Sequence, residues 1–243
     1  MCGRVVTTSS PEELSEYVGV WDVVEALEGP DHNVAPSGPL PVVWVDDQAT
    51  SGRLLGVAQW GLVPSGAVDP AIGARLFNAR AETVAIKPSF RAAFRRRRCL
   101  VPIDGFYEWG PSAASSPKQP WFVHRIDGFP LAVAGLWEFQ SDNDDRTLRT
   151  CTVVTVPANA DLAPVHQRMP AVVAEDDWDR WLDPTTSDRS TLEEILAPSP
   201  DGLLALHPVG RQVNDARQKG RELTVPVSLK VSPEGVGSQE ALW

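Results

Sequence analysis

The chain has 243 residues, 42% of them apolar and 22% charged, which excludes wholesale disorder and suits one large domain or two small ones. At this length roughly 70–75% of the unfolded surface can be buried, and 22 prolines with 18 glycines favour short strands and turns over a helical bundle. A formal net charge of −10 excludes a generally basic nucleic-acid coat.

Taken in chain order, residues 2–8 alternate enough to form a strand. Ser10-Pro11-Glu12-Glu13 is a helix start, with a serine N-cap, proline at the first helical position and acids in the first turn. That helix is expected to run to about Leu27 and to end near Gly29-Pro30. Asn33-Val34-Ala35-Pro36 reads as loop. Residues 40–45 and 54–61 read as a strand pair, and 63–73 as loop around Pro64, Gly66 and Pro70. Asn78-Ala79-Arg80-Ala81-Glu82 alternates, which on a strand puts Asn78, Arg80 and Glu82 on one face. Residues 87–97 read as a short helix, 99–109 as a strand pair bent at Gly105, and 110–119 as a flexible polar loop. Strands follow at 121–124, 130–138 and 151–156, then a loop with a short helix within 155–168. A helix at 175–182 carries Trp178 and Trp181 as core anchors. A second helix at 192–196 and a last strand at 206–209 complete the chain. No repeat or linker divides it, so a single domain over 1–228 is expected, with a flexible tail over 229–243.

Charge is unevenly distributed. Between Arg75 and Arg98 there are eight basic residues and one acid, Glu82, so this stretch carries +7 and the remainder −17. A solvated helix face accounts for Phe90 and Phe94 at i, i+4 with arginines around them. The absence of compensating acids favours an anionic partner that takes a few phosphates. Met1-Cys2-Gly3-Arg4 lacks the charged and apolar regions of a signal peptide, and no apolar run approaches the ~18 residues of a membrane span. The three cysteines, Cys2, Cys99 and Cys151, form no disulfide framework or zinc spacing. A reduced, cytoplasmic protein without metal or cofactor is expected.

Cys2 is the first candidate for chemistry. Methionine is usually trimmed before a small residue, and a trimmed Cys2 has an α-amine (pKa ~7.7–8.0) and a thiol (~8.5) two carbons apart. Such a pair condenses with an aldehyde to an imine, and the thiol closes on the same carbon to give a five-membered thiazolidine. On Cys2 alone, an incidental second residue is the simpler reading. Glu108, between Tyr107 and Trp109, is either solvated or buried with a raised pKa suited to proton transfer. His166 is a proton shuttle or a bystander on a loop. His32, His124 and His207 show no metal spacing, and there is no phosphate-binding glycine loop, dinucleotide fingerprint or nucleophile elbow.

Nine segments in order make the sequence resemble the SRAP family, the SOS-response-associated peptidases or abasic-site-processing proteins. They are Met1-Cys2-Gly3-Arg4, Asn33-Val34-Ala35-Pro36, Trp60-Gly61-Leu62-Val63-Pro64, Asn78-Ala79-Arg80-Ala81-Glu82-Thr83, Cys99-Leu100-Val101-Pro102 leading into Gly105-Phe106-Tyr107-Glu108-Trp109, Lys118-Gln119-Pro120, Thr155 with Ala158-Asn159, His166-Gln167-Arg168-Met169-Pro170, and His207-Pro208-Val209. The resemblance implies an α+β single domain whose antiparallel, β-rich half-open barrel is flanked by helices. It implies loss of Met1 and a lyase-like cross-link from Cys2 to abasic sites in single-stranded DNA, shielding them in the DNA damage response. Glu108 matches the carboxylate that opens the sugar, His166 its proton-transfer partner, and Asn78 the residue that positions Cys2. Arg80 matches a phosphate-binding arginine, and Arg4, Asn33 and Trp60 match residues of the DNA groove. Two departures stand out. Gly66 occupies a position where relatives carry an aromatic wedge, which puts junction preference in doubt. Asp215 stands where relatives often have asparagine, so its loop is expected to avoid DNA.

The alternatives are a cysteine peptidase or amidase with an N-terminal nucleophile, as the family's older name implies, and a non-catalytic single-strand binding module using Arg80 and the arginine run. A monomer is expected, cytoplasmic and associated with the nucleoid when bound to DNA.

Overall fold

The computed structural model of this chain describes residues 2–46, 52–111, 117–141, 147–186 and 188–229. Most of the expected polar loop after Gly110 and nearly all of the expected tail lie outside them.

The chain enters through β1 (Val5–Thr7) and α1 (Pro11–Val18). Ser10 and Glu13 form a reciprocal capping box: Glu13 N–H donates to Ser10 Oγ at 3.2 Å and Ser10 N–H to Glu13 Oε2 at 2.7 Å. The helix stops at Gly19 (φ 64°), far short of Leu27. The left-handed turn at Gly19 and the β-branched run beyond it turn the chain into β2 (Asp22–Val23), which pairs in parallel with β5 (Arg53–Trp60). Asn33 also departs from the loop expectation. It lies in β3 (Asp31–Val34), which pairs with β1.

Between these lies β4 (Pro39–Val45), antiparallel to β5. A 3-10 turn over Pro70–Arg75 leads to β6 (Asn78–Arg80) and the one-turn helix α2 (Ala81–Val84). Glu82 therefore sits on a helix rather than on a strand face with Asn78 and Arg80. The helix α3 (Arg91–Arg96) precedes β7 (Arg98–Ile103), β8 (Gly105–Gly110), β9 (Gln119–Arg125), β10 (Leu131–Ser141) and β11 (Thr147–Pro157). Where a short helix was expected within 155–168 there are only turns. Then come β12 (Arg168–Pro170), α4 (Trp178–Leu182), α5 (Arg189–Ile195) and β13 (Leu204–Pro208).

One sheet runs β12-β11-β10-β7-β4-β5-β2, with β6 added in parallel on β11. Its edge is closed by a short parallel seam, Thr150 with Gln59 and Cys151 with Trp60, so that β11, β10, β7, β4 and β5 form a ring. The α+β, antiparallel β-rich barrel is the architecture expected, except that this seam closes a barrel expected to be half-open. A second sheet, β13-β9-β8-β1-β3, lies beside the barrel. The chain crosses from one sheet to the other at Asp104, whose carboxylate accepts from the Thr8 N–H, from the Ser9 N–H at 2.9 Å and from the Ser9 hydroxyl. One continuous apolar core joins the two sheets and includes Trp178 and Trp181.

The arginine run does not form one stripe. Arg98 is buried, and its guanidinium donates to the carbonyls of Trp181 (2.6 Å), Phe94 (2.7 Å), Arg95 (2.8 Å), Asp183 and Thr186 (3.1 Å), tying α3 to the end of α4. Arg97 pairs with the buried Glu138 at 2.7 Å. Arg91, Arg95 and Arg96 face solvent.

Candidate functional site

Cys2 lies just ahead of β1 with only 1% of its surface exposed. Its position follows from pairing: Val5 faces Phe106 of β8, and Tyr107 N–H donates to the Arg4 carbonyl at 2.9 Å. The antiparallel register therefore runs the Cys2 segment alongside Glu108 and Trp109. From the other side β6, held in parallel on β11, brings up Asn78, whose Nδ2 donates to the Cys2 carbonyl at 2.5 Å. Asn78 Oδ1 is buried without a partner among the described residues, an acceptor suited to a ligand hydroxyl or amine.

Glu108 is 2% exposed on β8, opposite Trp121 of β9. Burial pushes its carboxyl up, against the opposing pull of the amino-terminal charge and of His166. Burial, and then the Glu108 carboxylate, push the Cys2 thiol up as well. His166 Nδ1 lies 3.6 Å from Glu108 Oε1. The same nitrogen is 3.0 Å from the Arg168 N–H and 2.9 Å from the Arg168 carbonyl. A neutral Nδ1 accepts from that amide. A protonated one donates to the carbonyl and faces the carboxylate. With or without a hydrogen on Nδ1 the ring keeps a backbone partner, which holds it beside Glu108.

His166 opens onto a groove of about 620 Å³ that is also lined by Arg80, Trp109, Lys118, Gln167 and Arg168. Arg80, Lys118 and an indole suit a phosphate backbone with an unstacked base, while Arg168 is engaged by Glu82. Sequence reasoning assigned no role to Arg168, Lys118 or Trp109. Each lies in a segment already noted, and Arg168 is two residues from His166. Arg168 forks onto both carboxylate oxygens of Glu82, with Nη2 to Oε2 at 3.0 Å, and holds that carboxyl below the usual range.

Two residues expected to line the groove do not. Trp60 is fully buried in the seam of the barrel and donates Nε1–H to the Phe77 carbonyl at 2.8 Å. A large apolar ring between β5 and β11 is worth more as core than as a solvent-facing contact. Asn33 is also fully buried, its Nδ2 shared among the carbonyls of Val213 (3.2 Å), Asp215 (3.1 Å) and Gln218 (3.0 Å). Asp215 pairs with Arg217 at 2.8 Å. Gly66 has φ 84° and nothing within 4 Å of an added Cβ, so that position offers no wedge. Among the described residues, no group of three or more histidines, cysteines or acids could hold a metal, and no helix is long and apolar enough to cross a membrane.

Fold and cluster together define an α+β barrel protein centred on a cysteine near the start of the chain, with a carboxylate, an imidazole and an amide in place around it. The chain belongs to the SOS response associated peptidase (SRAP) family, whose model matches residues 1–216. It is 33% identical over 224 residues to the abasic site processing protein YoqW of Bacillus subtilis, covering 92% of this chain and 98% of that protein. The abasic site processing protein HMCES of Xenopus tropicalis is 27% identical, over 94% of this chain and 79% of its own. A crystal structure of a protein from Bacteroides thetaiotaomicron superposes with a TM-score of 0.79 at 20% identity, over 93% of this chain and 100% of that one, and shows the same fold.

Proposed function

We propose that this chain processes abasic sites in single-stranded DNA by forming a covalent thiazolidine through Cys2 after Met1 is removed, shielding the lesion from cleavage. The observation that carries this reading is the convergence of Cys2, Asn78, Glu108 and His166 beside a groove that supplies Arg80, Lys118 and Arg168. The names of the relatives, abasic site processing proteins, support the same substrate.

The abasic deoxyribose is mostly a closed hemiacetal, and only its open form presents the C1′ aldehyde. The buried Glu108 carboxyl, holding its proton longer than an exposed acid, protonates the ring oxygen as the C1′–O4′ bond breaks, and its carboxylate takes up the proton that the C1′ hydroxyl releases. The Cys2 amine then adds to C1′, and the hydroxyl leaves as water with a proton relayed through Glu108 and His166. The Cys2 sulfur adds to the imine carbon while its proton passes to nitrogen. One C–N and one C–S bond form and one water departs, with no change in oxidation state. Asn78 holds the Cys2 backbone during these steps. The reaction of a monomer in the cytoplasm needs no cofactor.

The test is denaturing electrophoresis with intact mass. The protein is incubated with a uracil-containing single-stranded oligonucleotide, with and without prior uracil excision. The expected product is a heat-stable conjugate formed only with the abasic strand, weighing protein without Met1 plus DNA minus one water, and absent for Cys2→Ala. A conjugate that persists in Cys2→Ala, or none from folded protein lacking Met1, would overturn the reading. Cys2-dependent hydrolysis of a peptide would then favour a peptidase.

A further inference from the structure

We infer that Arg4 is a positioning residue rather than a DNA contact: with Asn33 it fastens the loop at 213–218 across the paired segments that carry Cys2 and Glu108. The inference deepens the function proposed above and rests on Cys2 being the reacting group.

The Arg4 guanidinium is turned toward protein. Nη1 donates to Asn33 Oδ1 at 2.9 Å and to the Val213 carbonyl at 2.6 Å, and Nη2 to the Asn214 carbonyl at 3.1 Å. Asn33 completes the arrangement by sharing Nδ2 among three carbonyls of the same loop. Beyond it, Lys219 Nζ donates to the Asn33 carbonyl at 2.9 Å and to Asp31 Oδ2 at 2.6 Å. On the other side Trp109 Nε1–H donates to Asn214 Oδ1 at 2.8 Å. Val213 packs beneath the loop in a small second core with Val6, Tyr107 and Leu223. The loop thus grips one strand two residues after Cys2 and its neighbour one residue after Glu108. A planar fork with several fixed donors can hold this geometry, whereas an ammonium cannot. Displacing a reacting group by about 1 Å costs on the order of 100-fold in rate, so the clamp acts on the reaction and not on affinity.

Arg4→Lys separates the two roles, since lysine keeps the charge that a phosphate needs and loses the fork. Arg4→Met removes both. Three quantities are measured on the full chain: the salt dependence of binding to an intact single strand, the conjugation rate with the abasic strand at saturating and half-saturating DNA, and the alkylation of Cys2 by iodoacetamide without DNA. For Arg4→Lys we expect an unchanged salt slope, half-saturation within about 2-fold, a saturating rate at least about 10-fold lower, and alkylation at least about 5-fold faster as Cys2 loses its burial. Should Arg4→Lys conjugate like the wild type while Arg4→Met loses about 0.7 of the salt slope, Arg4 contacts phosphate and the inference falls. Unchanged alkylation in both variants also overturns it. If the wild type forms no conjugate, the proposed function fails, but the alkylation arm still decides the clamp. Asn214→Ala cuts the far end of the loop without touching Arg4. It is expected to shift rate and alkylation the same way by a smaller factor, and it serves if the Arg4 variants do not fold.

Discussion

Glu108 is where burial and function conflict most directly. Its proton is bound more tightly in the folded protein than in the unfolded chain, because burial raises its pKa above the ordinary carboxylate value. Its contribution to stability is therefore full below that ordinary value and is lost as pH rises through the folded one. Ionisation at higher pH works against the fold at this position. The melting temperature of Glu108→Gln relative to the wild type should therefore be higher at pH 8 than at pH 4. The same variant should conjugate abasic DNA far more slowly. A melting difference that does not vary with pH would refute the assignment of burial as the cause. Of the candidate residues, Cys2, Asn78, Glu108 and His166 stood out in the sequence only as residue types within separate segments, and the fold brings them together. Trp60 and Asn33 were misjudged because a segment pattern does not say which way a side chain points.

At the scale of elements, strong local signals translated directly. The capping box at Ser10 and Glu13 starts a helix, and the strand pair expected with a bend at Gly105 is β7 and β8. The end of α1 did not translate, because Gly19 and the pairing of β2 on β5 override a helical pattern continued toward Leu27. Gly105 marks the place where β8 begins against β9. A Cβ there would lie 2.5 Å from Phe122 Cε2 and 2.6 Å from the Val123 carbonyl oxygen. Since a backbone oxygen cannot step aside, Gly105→Ala should destabilise by about 2–3 kcal/mol, read as a lower midpoint in urea with unchanged cooperativity. An unaltered midpoint would mean that the two strands separate easily at this end. The result bears on the site, because β8 carries Glu108 three residues further on.

Across the whole molecule, the net charge of −10 coexists with a groove that gathers Arg80, Lys118 and Arg168. With Arg168 engaged by Glu82, two phosphate contacts from Arg80 and Lys118 correspond to a log–log salt slope of about −1.4, and Arg80→Ala should reduce it by about 0.7. Fluorescence anisotropy with an intact oligonucleotide between 50 and 200 mM salt, as an order-of-magnitude range, measures both. A slope near zero would take the groove out of DNA binding. The arginine run at 95–98 makes the same point from the other direction. It reads in sequence as one basic stripe, yet Arg98 closes helix ends inside the core and Arg97 neutralises a buried acid. What the sequence determined by itself was local or compositional: short strands and turns in place of a helical bundle, the helix starts, the strand pairs, and the residue types able to do aminothiol and proton-transfer chemistry. Periodicity, caps and side-chain pKa are properties of a residue and its near neighbours. Only the tertiary structure decided which of these residues meet. Closing the barrel through β5 and β11, adding β6 to β11, and laying the 213–218 loop over Arg4 and Asn33 are pairings between segments distant in the chain, selected by burial and by hydrogen bonds that no local pattern encodes.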